Sequence, residues 1–201
     1  MTWIVPYVEP SLSVMSTLET QLANSNEFKL NWEAVNTFKE QPSLNREVRL
    51  SLAATVHKPT KLYVALQNMT RYNSLLAHNM AFDNLNLEEI YAEVNSVRFP
   101  EKPMQFNFGD DDYTEVYNRF LEQCENKSPI DFEKFKAKYS IIPIDVSKHQ
   151  PELFENSNFP IINIYLKFSE APREQYIAWV IVCNEREATL NIDNRKMRVI
   201  R

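Results

Sequence analysis

The chain has 201 residues, 44% hydrophobic and 24% charged, with 22 basic against 27 acidic side chains and a formal net charge of -5. That length suits a single domain, residues 1–201, able to bury its own core without metal or disulfide staples, and the composition excludes a disordered chain. One glycine, Gly109, stands where an average chain of this size carries about fourteen, which excludes the P-loop and the dinucleotide fingerprint, both built on glycines that let the backbone approach phosphate.

The opening "WIVPYVE" reads as extended, with Pro6 suited to an edge or a bulge. It lacks the basic lead and long apolar segment of a signal peptide. Leu12, Met15, Leu18 and Leu22 recur at helical spacing and predict a short helix. "EFKLNWEAV" places Phe28, Leu30 and Trp32 on one strand face. "REVRLSLAAT" alternates cleanly, with Val48, Leu50, Leu52 and Ala54 inward and Glu47, Arg49 and Ser51 outward, the pattern of a half-buried antiparallel strand. In "KLYVALQN" the run from Leu62 to Leu66 predicts burial on both faces. Met69 to Asn86 loses periodicity and reads as a long loop, of the kind that carries function or an interface.

Alternation resumes in "NLEEIYAEVNSVRFP", with Ile90, Ala92 and Val94 inward, and "PMQFNF" continues extended. After Gly109, "DDDYTEVYNRFLEQC" predicts a helix with Tyr113, Val116, Tyr117, Phe120 and Leu121 on one stripe and Asp110, Asp111 or Asp112 as its cap. "SPIDFEKFKAK" adds a helical turn that starts at Pro129. "YSIIPIDVS", "FPIINIYLKF" and "YIAWVIVCN" are three further strands, and "ATLNIDNRKMRVIR" supplies one or two more. In "YIAWVIVCN", Ile177, Trp179 and Ile181 are expected in the core, with the charged residues after Cys183 ending the strand. The run Tyr176–Cys183 is far shorter than the ~20 residues of a membrane span. Hence the chain is expected to be soluble, without a membrane partner, and made in a reducing compartment. Eight to nine strands with one clear helix and no regular strand–helix alternation predict an all-β antiparallel jelly-roll sandwich of about eight strands with one inserted helix.

Each candidate for chemistry has a structural explanation that fits better. Asp110–Asp112 lacks the ligand spacing of a calcium loop and reads as a helix start. His57, His78 and His149 lie far apart, and two of them precede prolines at predicted turns. Glu88 and Glu89 are adjacent, so on a regular strand they point to opposite faces. Cys124 and Cys183 match no metal or redox spacing, and Cys183 reads as a small buried hydrophobe. Trp3, Trp32 and Trp179 lie in apolar strand patterns and read as core rather than as stacking platforms. Asn68-Met69-Thr70 and Asn126-Lys127-Ser128 fit a glycosylation sequon by chance in a chain without an export signal. The basic stretch Arg195-Lys196-Met197-Arg198 with Arg201 reads as a solvated strand end or tail, with a minor contact to phosphate or an acidic partner as the alternative, and the acidic balance argues against direct nucleic-acid binding. No catalytic residue, cofactor-binding residue or metal ligand is assigned, and no cofactor is expected.

The segment order carries a resemblance. Val94, Asn95, Ser96, Phe99 and Pro100, then Tyr113 and Tyr117, Ile144 to Ser147, Ile162 to Phe168 and Ala178 to Arg186 follow one pattern. The chain resembles the C-terminal jelly roll of double-jelly-roll major capsid proteins of Polinton-like, adintovirus-like and related DNA elements. "WIVPYVEPS" looks like that family's link into its second roll. The resemblance implies a non-enzymatic structural protein, either an excised half of a capsid subunit or a derivative kept in a host genome. It implies self-association, a trimer in the capsid setting, or a companion jelly roll as partner. It places the protein in a virion, or otherwise inside the cell. The competing expectations are a lectin-like binding module, with Tyr72, Tyr113 or Trp3 stacking on a sugar ring, and a cupin-like enzyme, which would need clustered histidines.

Overall fold

In the computed structural model the described residues are 9, 11–25, 27–52, 56, 58–73, 80–125, 128–147, 160–193 and 196–200. The chain divides into two compact units, Glu33–Glu185 and a second formed by Met1–Trp32 with Arg186–Arg201.

The larger unit is a two-sheet roll. Its strands are the second part of β1 (Glu27–Glu40), β2 (Glu47–Leu52), β3 (Pro59–Asn68), β4 (Leu87–Val94), β5 (Val97–Gln105), β6 (Ile141–Asp145), β7 (Ile162–Phe168) and the first part of β8 (Tyr176–Asp193). One sheet runs β1-β8-β3-β6 and the other β2-β7-β4-β5. The pairing is nested: β1 lies beside β8, β2 beside β7, β3 beside β6 and β4 beside β5. A long hairpin of four strand pairs rolled on itself gives this order, and β3–β8 and β4–β7 pairing closes each sheet. The predicted sandwich is the observed one.

Alternation decides which side chains meet between the sheets. Val48, Leu50 and Leu52, then Ile90, Ala92 and Val94, and Ile162, Ile164 and Leu166 supply one layer, all at most 8% exposed. Leu62, Val64 and Leu66, Ile142 and Ile144, and Ala178, Val180 and Val182 supply the other. In β8 it is therefore the even positions that fill the interior. Ile177, Trp179 and Ile181, expected there, lie on the outer side of that sheet, where Trp179 and Ile181 are half-buried and Ile177 is buried. Nor does the charged stretch end the strand: β8 continues through Asn184, Glu185, Arg186 and Glu187 to Asp193.

Two connections use left-handed residues in place of glycine. Asn95 and Ser96, with φ of 50° and 69°, form the two-residue turn between β4 and β5, where Val94 faces Val97. Right-handed strand twist favours this mirror-image turn. The stretch expected to run on as one strand is thus a hairpin. Asn95 also ties the turn to the head of β7: its amide donates to the Ile161 carbonyl, and its Oδ1 accepts from the Ile161 amide, both at 3.0 Å.

The β3–β4 connection opens with a four-residue helix, α2 (Met69–Tyr72), and is pinned to the end of β3. Asp83 accepts from the Asn68 amide and pairs with Arg71 at 3.0 Å, and the Gln67 side chain donates to the Ala81 carbonyl. Between β5 and β6 lie α3 (Thr114–Gln123) and α4 (Phe132–Lys138). On α3 the predicted stripe is buried at Val116 and Phe120, with Tyr117 and Leu121 packed beside them. The aspartates do not cap α3. Its N-cap is Tyr113, without a side-chain bond, and Asp110–Asp112 form the preceding turn, where Asn107 and Asp112 exchange backbone hydrogen bonds. For α4 the start is Asp131 rather than Pro129, with Oδ1 accepting from the Lys134 amide at 2.8 Å. Gly109 sits in the turn where a Cβ would lie 3.1 Å from Asn107 Oδ1.

The smaller unit holds α1 (Leu12–Ser25), which covers the predicted helix, the start of β1, the end of β8, and β9 (Lys196–Ile200), paired antiparallel with β8. Leu12, Val14, Met15, Leu30 and Trp32 of this unit are exposed, so Trp32, expected in a core, is not in one. Trp3, Pro6 and Ala54 lie outside the described residues, as does the side chain of Phe28.

Candidate interaction surface

The outward side chains of β2-β7-β4-β5 form a grid fixed by strand register. Glu47, Lys167, Glu89 and Gln105 make one row across the strands; Arg49, Tyr165 and Tyr91 make the next; Ser51, Asn163, Glu93 and Arg98 make the third. The middle row is a stack. The Tyr91 and Tyr165 rings lie 4.6 Å apart and 11° from parallel. Arg98 covers the free face of Tyr91 at 4.3 Å, and Arg49 lies 5.5 Å from the Tyr165 ring. Cation–π attraction and ring stacking hold four long side chains in a single ridge, so little rotamer freedom is left for a partner to freeze. The neighbouring rows brace it. Ser51 donates to Asn163 at 2.8 Å, and Gln105 donates to Glu89 at 3.0 Å. A bond to the Glu93 carboxylate, ahead of burial, raises the Tyr165 hydroxyl pKa.

Glu88 and Glu89 depart from the alternation rule. A register shift between Leu87 and Glu89 inserts Glu88 as an extra residue. Glu88 thereby reaches Arg46 at 3.3 Å and Lys167 at 3.9 Å, while Glu89 faces Lys167 across the strands. Beside them a cleft of about 590 Å³ is lined by Arg46, Glu88, Gln105, Asn107, Asp112 and Ser169, among others. Its cation is already engaged, because Arg46 also donates to the Phe168 carbonyl at 3.0 Å.

On the outer side of the other sheet, Trp179 donates to Gln67 at 3.1 Å and its ring meets Tyr72 at 6.2 Å. Lys39 covers this pair, 4.2 Å above the Tyr72 ring and 3.0 Å from its hydroxyl. The long loop thus contributes Tyr72 to a clamp between β1, β3 and β8.

Other residues singled out by sequence go elsewhere. Tyr113 is 1% exposed, stacked on Phe132 at 4.0 Å with its hydroxyl donating to the Phe132 carbonyl, so it has no face to offer a sugar. Asp111 pairs with Lys136. Cys183 is buried and its thiol pKa is raised mainly by burial; it and Cys124 are both free thiols. Asn68 spends its side chain on the Thr70 amide and on Glu174. His57, His78, His149 and Asn126 lie outside the described residues. Among the described residues, no three of His, Cys, Asp and Glu gather as metal ligands, and no helix is long and apolar enough to cross a membrane. The Arg–Tyr–Tyr–Arg ridge escaped the sequence reading: its four members come from four strands, and only the outward positions of Arg49 and Tyr91 were visible as alternation.

Eight strands in nested antiparallel pairs around one apolar core define a jelly roll. The family described as double jelly roll-like domain matches residues 1–186, and the chain belongs to that family. No curated protein matches it.

Proposed function

We propose that the chain is a structural protein, one jelly roll of a viral major capsid protein or a host-retained derivative of one, which works by associating with its own copies or with a companion roll. On this reading it resides in a virion, or in the cytoplasm or nucleus of a host that has kept it. The carrying observation is how its side chains are spent. The inward apolar residues of both sheets go into one continuous core, and the β2-β7-β4-β5 sheet presents outside a braced ridge of Arg and Tyr. Arg and Tyr on a rigid surface are what protein contacts favour, because they add area without a large ordering cost. Membership of the double jelly roll-like family supports the same reading.

The test is solution mass over a wide concentration range. A trimer or larger closed ring is the expected outcome. A strict monomer at every concentration overturns association with its own copies and leaves a companion roll as the partner.

A further inference from the structure

We propose that the outer face of the β2-β7-β4-β5 sheet is a two-fold contact between copies of this chain, in which Lys167 of each copy meets Glu89 of the other. The inference rests on the self-association reading above and names the surface, the symmetry and the pairing. In a trimeric shell unit, the contact would join copies of neighbouring units.

The argument is charge complementarity read from register. A two-fold contact brings one patch against itself, so the patch must match its own rotated image. Take an axis along the strands, midway between β7 and β4. It sets β7 opposite β4 of the other copy. Within the row Glu47–Lys167–Glu89–Gln105, Lys167 then faces Glu89 and Glu89 faces Lys167. In the next row Tyr165 faces Tyr91, and in the third Asn163 faces Glu93. Two opposite-charge pairs form, with none of these central positions meeting a like charge, whereas the ridge ends Arg49 and Arg98 are brought toward each other. An in-plane axis perpendicular to the strands is worse. It exchanges the first and third rows, so Glu89 meets Glu93 and Lys167 meets only Asn163. The strand-parallel axis also keeps the facing strands close to aligned, as packed sheets prefer.

Size decides how strong the contact is. Four strands about 4.8 Å apart and six residues at about 3.3 Å each give roughly 400 Å² per copy. The roughly 800 Å² buried in a pair is below the about 1,000 Å² that a stable specific interface clears, so the contact is a weak, transient one. Such a face holds only weakly by itself and gains strength when several copies are already linked. Lys167 and Glu88 are both half-exposed, so their 3.9 Å pair leaves the ammonium free to lean toward a second carboxylate. Because the pairs are solvated, the contact weakens as salt is added.

The test is a charge swap, read by sedimentation at low ionic strength on the full chain, with circular dichroism to verify folding. Lys167→Glu alone puts two Glu–Glu pairs in the contact, and Glu89→Lys alone puts two Lys–Lys pairs there. Each is expected to weaken association by roughly ten-fold or more. Mixing the two variants makes both facing pairs opposite again, and association is expected to return toward the wild-type value. Repair of contacts within one chain cannot produce that recovery. Single variants that associate like the wild type, or a loss that persists in the mixture, overturn the two-fold contact and leave the structural reading standing. A wild-type chain that stays monomeric throughout overturns both the two-fold contact and the self-association it rests on.

Discussion

Asn36, on the first strand of the roll, donates its side-chain amide to Oδ1 of Asn184 on the last, at 2.8 Å. Asn184 is wholly buried, and its own Nδ2 has no partner among the described residues. The roll therefore closes on a polar pair that is only half satisfied. Asn36→Ala also strips the buried carbonyl of its donor and is expected to cost about 1–3 kcal/mol. Replacing both residues by Leu removes the unmet groups together and is expected to recover most of that loss. Urea midpoints of the single and double variants decide it; equal losses in both would mean that the unmet polar groups are not what the single substitution costs.

The two faces of β8 give opposite expectations for neighbouring residues. Val180 points between the sheets at 0% exposure, whereas Ile181 is half-buried outside. Val180→Ala removes methyl groups from a filled interior and is expected to cost about 2 kcal/mol, from about 0.8 per buried carbon plus the cavity left behind. Ile181→Thr is expected to cost under about 1 kcal/mol, as partly solvated sites do. Denaturant unfolding of the two variants side by side checks the assignment, and the reverse order would put the core on the other face.

Sequence legibility follows from how many faces a strand buries. In β2, with Val48, Leu50 and Leu52 inside and charges outside, alternation alone identifies the buried face, and the same holds for Ile90, Ala92 and Val94 in β4. Tyr176–Cys183 is apolar on both faces, so its periodicity cannot choose between them. What assigns it is tertiary: Val64 and Leu66 share the inner side with Val180 and Ala178, while Gln67, opposite Ile177, is held by Ala81 on the outer side. Turns were hidden for another reason. With one glycine in the chain, Asn95-Ser96 carries no glycine to mark it, and its left-handed geometry is imposed by the strands. The ridge needed cross-strand register, which no single segment encodes.

That turn yields a prediction of its own. Ser96 holds φ at 69°, a region that suits glycine. Ser96→Gly relieves this strain while loosening the unfolded chain, and the net expectation is a gain of about 0.5–1 kcal/mol. Asn95 tolerates the left-handed region better and also bonds Ile161, so Asn95→Ala is expected to lose about 1–2 kcal/mol. Thermal unfolding should therefore shift upward for the first variant and downward for the second. A downward shift for Ser96→Gly would show the hydroxyl to be holding the turn.

Alkaline pH probes the aromatic cluster around α3 and α4. Burial, with lesser contributions from Glu133 and Asp111, pushes the Tyr113 hydroxyl up to about 12 from 10.0. Tyr176, buried with no hydroxyl partner among the described residues, is also raised, by burial alone. Both groups bind their protons more tightly when folded, so the unfolded chain ionises first as pH rises. Their contribution to stability is complete below about pH 10, falls between about pH 10 and 12 for Tyr113, and keeps falling above that for Tyr176. Melting temperature should thus hold steady from neutral pH to about pH 9, begin to fall as the unfolded Cys183 thiol ionises, and drop more steeply above about pH 10. Tyr113→Phe should flatten the drop at the cost of the bond to the Phe132 carbonyl. Tyr176→Phe should flatten it too and, having no such bond to lose, should raise the melting temperature at neutral pH. A wild-type melting temperature unchanged up to about pH 11 would mean these rings ionise as freely folded as unfolded, and that the cluster is open to water.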